Sequence, residues 1–358
     1  MKSKPESQSN HKVKIEEILA EEMPMNKARL KCLSMLLLGL IQKRTVNLVS
    51  LSLAFQGLAQ PESNYRRIKR FFSEVRFDSR SIGRLILGFL PLEPYKVCID
   101  RTNWKFGSSN INILVIAIAH RGIAFPIVWQ FLDKRGNSSC DERIDLLQEF
   151  LELVEAKDIA YVLGDREFIG KTWLNYLDKR NIRFSIRIRN NSLCDNWCPV
   201  YAYFANLPVG ELRCLHNTYI IQGCNVRIIG MKLSSTEYAI ICTNYQPHDA
   251  FLAYKCRWEI EMLFSALKTT GFNFEATHLT NLDKLDTLFA LLALAFAWAH
   301  TVGEWLHDSK TKVLKLKTHL RREKSFFRHG LDYLDHLLSN LNYRFDQFLF
   351  CLRFLSRT

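Results

Sequence analysis

The chain has 358 residues, 48% of them hydrophobic, which is enough for two domains or one large domain with additions and excludes a largely disordered protein. A formal net charge of +13 points to an acidic partner, most simply nucleic acid, with a basic membrane-surface protein as the alternative. Ten cysteines without framework spacing exclude a disulfide scaffold; the one close pair, Cys194 and Cys198, has no second pair or histidine beside it, so reduced thiols rather than a zinc site are expected.

Residues 1–12 read as a polar, disordered lead without the apolar run of a targeting sequence. From residue 13 to about 89 apolar residues recur at three and four, and Pro24 and Pro61 punctuate, so the spacing predicts an all-α unit. Its second half carries Tyr65, Arg66, Arg67, Lys69 and Arg70 ahead of Phe71 and Phe72. That is either a small helical DNA-binding domain with cations on phosphates or base edges, or an amphipathic helix with a solvated basic face.

The pattern changes at Pro91. YKVCID is a short strand ending in Asp100, and INILVIAIAH and IAFPIVWQFL are β-rich runs joined by a hairpin turn at Arg121 and Gly122. Residues 140–157 predict an amphipathic helix, 159–163 a buried strand followed by Asp165, 169–180 another helix, and 183–189 an alternating strand. The order β-β-β-α-β-α-β describes a mixed sheet with helices on its faces, in which Asp100 and Asp165 share one crevice if their strands are neighbours. Singly, each acid reads equally well as a turn or cap residue. Residues 190–249 hold strands such as NVRIIGMKL and EYAIICTNY and read as a β-rich insertion.

Residues 254–271, YKCRWEIEMLFSALKTTG, space Tyr254, Arg257, Glu261 and Lys268 by three, four and seven. On one helix these fall within an arc of roughly 60°, a stripe that suits a metal-bound phosphate, although a solvated face laced with i,i+4 pairs has the same look. Glu259 lies about 160° from Glu261 on the same wheel and reads as surface or structural. Beyond it, residues 283–307 form a long apolar helix; its run LFALLALAFAWA is shorter than the ~20 residues of a bilayer span. Residues 310–328 are basic, with Lys310, Lys312, Lys315, Lys317, Arg321, Arg322, Lys324 and Arg328 available to phosphates. Residues 331–355 carry Tyr333, Leu334, Leu337, Leu338, Leu341, Tyr343, Phe345 and Phe348 at helical spacing, for packing on the core or on a second subunit.

Tyr-x2-Arg-x3-Glu-x6-Lys, preceded in order by the blocks CIDRTNWKFG and LGDREFIG, resembles the signature of the DDE transposases of bacterial insertion sequences, in the branch named for those four residues (insertion-sequence family 4). The resemblance covers about residues 94–271 and the helical flanks. It implies a ribonuclease-H-like α/β catalytic domain over 93–309 with the β-rich insertion at 190–249, an all-α DNA-binding domain over 1–92, and a basic helical region over 310–358.

It further implies that Asp100, Asp165 and Glu261 hold two Mg2+ ions, with Mn2+ able to substitute, and cut and join phosphodiesters by two-metal transfer; three oxygen donors suit such ions. Tyr254, Arg257 and Lys268 would then contact terminal phosphates. Glu167 falls where the family block has no ligand. The partners implied are transposon-end and target duplex DNA, with no membrane, for a bacterial, cytoplasmic, nucleoid-associated protein that forms a homodimer on DNA. Relatives of this branch hold a flipped base with a tryptophan of the insertion. No Trp stands between Trp197 and Trp258 here, which leaves Tyr219, Tyr238 or another device in that role. A metal-dependent nuclease that does not join, and a non-catalytic regulator derived from a transposase, fit the same charge and fold.

Overall fold

Strand β1, Tyr95–Phe106, is the spine of the sheet. It continues into β2 (Ser109–His120) and β3 (Ile123–Phe131), which pair antiparallel, and the β2–β3 turn places Arg121 and Gly122 at φ of 52° and 100°. Two positive φ values in succession are what a two-residue hairpin turn demands, and glycine adopts one at no steric cost. β2 is buried along eight consecutive residues, because this strand is covered on both faces.

The structure is a computed structural model and describes residues 15–21, 23–55, 57, 59–195, 197–313 and 322–355. The chain divides into two compact units. One comprises Leu92–Lys105 and Asn110–Leu263; the other comprises Met1–Pro91, Phe106–Ser109 and Phe264–Thr358. Within the first unit α5, Cys140–Leu151, begins at a capping box of Ser139 and Glu142. The chain then enters β4 (Ile159–Gly164), α6 (Lys171–Lys179) and β5 (Phe184–Arg187). β4 is parallel to β1, with Val97 opposite Val162 and Cys98 opposite Leu163, and β5 is parallel to β4. The order β3-β2-β1-β4-β5 is the ribonuclease-H-like mixed sheet.

The segment 190–249 is richer in strands than in helices, yet it does more than interrupt the core. It contributes β6 (Leu193–Cys194) and β7 (Cys198–Pro199), a small separate pair, then β8 (Leu212–Cys214), β9 (Tyr219–Ile221), β10 (Cys224–Lys232) and β11 (Tyr238–Thr243). β11 pairs antiparallel with β5, β10 with β11 and β8 with β10, so the same sheet continues to order β3-β2-β1-β4-β5-β11-β10-β8, with β9 on β10. Without β11, β5 would be a bare edge with unpaired backbone groups. α7, Pro247–Tyr254, lies on this extension, with Phe251 against Ile229 and Ile241 and the Ser185 hydroxyl donating to the Ala250 carbonyl at 2.8 Å.

The second unit is helical. The described residues give α1 (Lys27–Lys43), α2 (Leu48–Ala54), α3 (Pro61–Glu74) and α4 (Ser79–Leu87). Asn26 caps α1, Asn47 caps α2, and Pro61 opens α3, where its missing N–H costs nothing. Farther along, α9 (Leu282–Ser309), α10 (Phe326–Ser339) and α11 (Leu341–Leu352) complete it. α9 is 28 residues long and, by length and composition, could cross a bilayer, but 89% of its most apolar window is buried in the structure. It therefore serves as a core helix, longer than the apolar run at its centre suggests. Leu334, Leu337, Leu338, Leu341 and Phe348 are buried within the chain, whereas Tyr343 is 91% exposed. Of the two uses open to this stretch, in-chain packing accounts for these five.

Candidate active site

Asp100 lies two residues past the last β1–β4 register pair on its strand, and Asp165 two past it on the other, immediately after β4. Parallel pairing sets the two acids at matching positions on neighbouring segments, although β1 runs on to Phe106 instead of ending at Asp100 and β4 stops at Gly164. Asp100 Oδ1 accepts the Arg101 amide at 2.7 Å, and Asp165 Oδ1 accepts the Glu167 amide at 2.8 Å. Burial pushes the Asp100 carboxyl up to about 7, and the charges of Asp165 and Glu261 push the same way against the Arg101 amide and the Arg257 guanidinium.

Glu261 arrives on a different element. The stretch 254–271 does not form one helix: α7 ends at Tyr254, a 3-10 turn spans Lys255–Arg257, and α8 spans Trp258–Ser265. A π turn follows at Ala266–Thr270. There the hydroxyls of Thr269 and Thr270 donate to the Ser265 carbonyl at 3.3 and 3.0 Å, and the Gly271 amide closes on Ala266 instead, which widens the last turn. The uniform wheel that places Lys268 in the stripe therefore fails at its end. Lys268 belongs to the helical unit and its ammonium pairs with Glu275 at 2.7 Å.

Tyr254, Arg257 and Glu261 do converge on the acids. Arg257 bridges two of them, with Nη1 at 3.3 Å from Asp100 Oδ2 and Nη2 in contact with Glu261 Oε1. Its side chain is 14% exposed, Asp100 16% and Glu261 35%. Burial opposes the charge of Arg257, but Tyr254, Glu261 and Asp100 hold its pKa above the usual value. The Tyr254 ring lies 5.9 Å from that guanidinium. Burial pushes the phenol up to about 12 despite Arg257 and Arg187, so at neutral pH it is a protonated donor.

As placed, no three His, Cys, Asp or Glu side chains among the described residues stand together closely enough to hold a metal ion. The guanidinium of Arg257 lies where a cation between Asp100 and Glu261 would lie, and supplies the positive charge. The donor set nonetheless fits a hard divalent ion: it is all carboxylate, it comes from three segments, and the burial of Asp100 among like charges is relieved by a cation.

The competing acids have structural partners. Glu167 binds Arg101 and Ser138; burial raises its carboxyl, and those hydrogen bonds outweigh this and leave it below the usual range. Glu259 is half-buried rather than a surface group. Burial pushes its carboxyl above the usual range, against the Gly122 amide, Lys96 and His120, and its Oε2 is buried with no hydrogen-bond partner among the described residues. Because an amide tolerates that setting as well as a carboxyl does, Glu259→Gln is expected to change unfolding free energy by less than about 1 kcal/mol, which a denaturant titration checks.

The remaining cations are dispersed. Arg66, Arg67, Lys69 and Arg70 are exposed along α3, opposite buried Ile68, Phe71 and Phe72. Arg322 is exposed with its guanidinium 4.0 Å from the centre of the Phe326 ring; Lys315, Lys317 and Arg321 lie outside the described residues. Tyr238 is only 7% exposed, and Tyr219 meets the Tyr203 ring edge-on at 5.3 Å. Sequence reasoning passed over Arg101, whose only signal was its place beside Asp100, and Arg187, which had none.

The chain thus has a ribonuclease-H-like sheet with one acid within β1, one immediately after β4 and a third on a following helix. The family model described as Transposase DDE domain matches residues 92–298, more than half of the chain. The chain belongs to the DDE transposase family. Comparison with curated proteins gives no match.

Proposed function

We propose that this transposase binds the ends of an insertion sequence, cuts them, and joins the 3′ ends to target DNA, as a member of the branch with the Tyr-Arg-Glu-Lys signature. What supports this reading is the placement of Asp100 and Asp165 at matching positions on neighbouring parallel segments, with the Arg257 guanidinium joining Asp100 to Glu261 and Tyr254 beside it.

In this reading Asp100, Asp165 and Glu261 hold Mg2+, with Mn2+ as a substitute. When bound, the ions activate the attacking oxygen and stabilise the leaving oxygen of an in-line displacement. Arg257 neutralises the acids beforehand and turns its planar fork to the phosphate of docked DNA, where two parallel hydrogen bonds fix orientation. Tyr254 donates its phenolic proton in a hydrogen bond to a phosphate oxygen, and Lys268 supplies a point charge once Glu275 releases it. Walls of buried side chains around Asp100 strengthen each of these contacts by lowering the local dielectric.

Strand transfer with precut ends and a supercoiled plasmid in MgCl2 tests the reading. Joined product is expected. Hydrolysis without joining would make the protein a nuclease, and end binding without either reaction would make it a regulator. The assembly proposed is a monomer in free solution and a homodimer on paired ends at the nucleoid, since one chain carries one set of three acids and two ends must be joined in concert.

DNA contact by α3 adds a measurable salt dependence. Each phosphate neutralised contributes a slope of about −0.9 in log K against log salt. Replacing Arg66, Arg67, Lys69 and Arg70 together by alanine should make that slope shallower by roughly 3 to 4 units in an equilibrium binding titration. An unchanged slope would leave those four as a solvated face.

A further inference from the structure

β1 and β4 are held in register only as far as Cys98 and Leu163. Asp100 and Asp165 stand beyond that point, so something other than the β1–β4 ladder has to fix the distance between them. A side-chain lattice does so. Arg101 Nε lies 3.2 and 3.3 Å from the two Glu167 carboxylate oxygens, and Arg101 Nη2 lies 3.2 Å from Oε2. Both side chains are 13% exposed.

Each member of this pair also holds one catalytic acid through its own backbone: the Arg101 amide donates to Asp100 and the Glu167 amide to Asp165. The continuous path therefore runs from Asp100 to the Arg101 amide, across the guanidinium–carboxylate pair, and back through the Glu167 amide to Asp165. It is anchored at both sides. Glu167 Oε1 accepts the Ser138 amide and hydroxyl, each at 3.0 Å, and Arg143 donates to Ser138 Oγ at 2.8 Å. Arg101 Nη1 donates to Asn112 Oδ1 at 3.0 Å, and the Asn112 amide group donates to the carbonyls of Lys134 and Gly136 at 3.1 Å.

We propose that Arg101 and Glu167 are a positioning pair that sets the separation of Asp100 and Asp165, and through it the affinity for divalent metal, without touching metal or DNA. This rests on the reading of those acids as metal ligands. An outer partner of this kind governs how well ligands are aimed, and its loss typically costs roughly 10- to 100-fold in metal affinity. The planar fork matters as well as the charge, so lysine cannot replace Arg101.

The test is the Mn2+ dissociation constant of the full chain bound to end DNA, measured by electron paramagnetic resonance of free Mn2+ with the DNA alone as blank, alongside the Mn2+ concentration that half-saturates cleavage. Glu167→Gln and Arg101→Lys should each raise both quantities by roughly 10- to 100-fold, and excess Mn2+ should restore much of the maximal rate. Glu167→Asp, which keeps the charge but withdraws it by one methylene, should shift them in the same direction. The double variant Arg101→Lys/Glu167→Gln should be little worse than either single change, as two parts of one device are. Variants that melt like the parent but bind Mn2+ with parental affinity would overturn this proposal alone. Absence of Mn2+ binding by the parent chain on end DNA, beyond that of the DNA alone, would overturn the ligand assignment with it.

Discussion

Asp100→Asn, Asp165→Asn and Glu261→Gln are each expected to lower end cleavage and strand transfer by on the order of a thousandfold or more while end binding changes little. The magnitude follows from the chemistry. Several kcal/mol of charge stabilisation come from cations at such a site, and each 1.36 kcal/mol is a factor of ten in rate. The amide isosteres keep size and shape but cannot offer an anionic oxygen. Folding should survive, since burial pushes the Asp100 carboxyl up to about 7 and a neutral side chain there relieves repulsion with Asp165 and Glu261. Cleavage of labelled end DNA and a gel-shift titration measure the two halves. Strand transfer near the parental rate by any one variant would remove that residue from the site.

The second large effect concerns the helical unit. α9 and α10 cross where Gly303 faces Gly330, and a Cβ built on Gly303 would come within 1.9 Å of the Phe326 carbonyl oxygen. One built on Gly330 would come within 1.8 Å of the Ala299 carbonyl oxygen. Both obstacles are backbone, so no side-chain rotation makes room and the helices must move apart. Overpacking of a core usually costs about 1 to 3 kcal/mol, and a backbone collision on a crossing this close should exceed that range. Against a total stability of roughly 5 to 15 kcal/mol, Gly303→Ala or Gly330→Ala should unfold much of the unit or shift its denaturant midpoint far down. Gly39 is the contrast. A Cβ there meets the Leu51 Cδ2 methyl at 3.3 Å, a flexible side-chain end, and alanine favours a helix over glycine by about 1 kcal/mol. Gly39→Ala should therefore be close to neutral. Equal midpoints for all three variants would contradict the packing argument.

Much of the catalytic unit was legible because its signals are local. Alternating apolar runs gave the strands, Arg121–Gly122 gave the hairpin, and the neighbouring β1 and β4 carry Asp100 and Asp165 at matching positions. What escaped was decided over long separations. The strands within 190–249 could be recognised as strands, yet nothing in their composition says that β11 pairs with β5 rather than forming a sheet of its own. The wheel over 254–271 assumed one helical pitch, and competition by Thr269 and Thr270 for a carbonyl changed the pitch before Lys268. Glu167 stands where the family block has no ligand, and nothing in the sequence signals its partnership with Arg101, 66 residues away. The bridge from Arg257 to Asp100 spans 157 residues and was equally out of reach.

The central claim is that Asp100, Asp165 and Glu261 form one divalent-metal site once DNA is docked, with Arg257 released from between them. Anomalous scattering from crystals of the full chain with end DNA and MnCl2 addresses it most directly. The account predicts manganese peaks bonded to oxygens of Asp100, Asp165 and Glu261, and a guanidinium of Arg257 turned to a DNA phosphate. Manganese bound elsewhere, with Arg257 still joining Asp100 to Glu261 in the DNA complex, would contradict it.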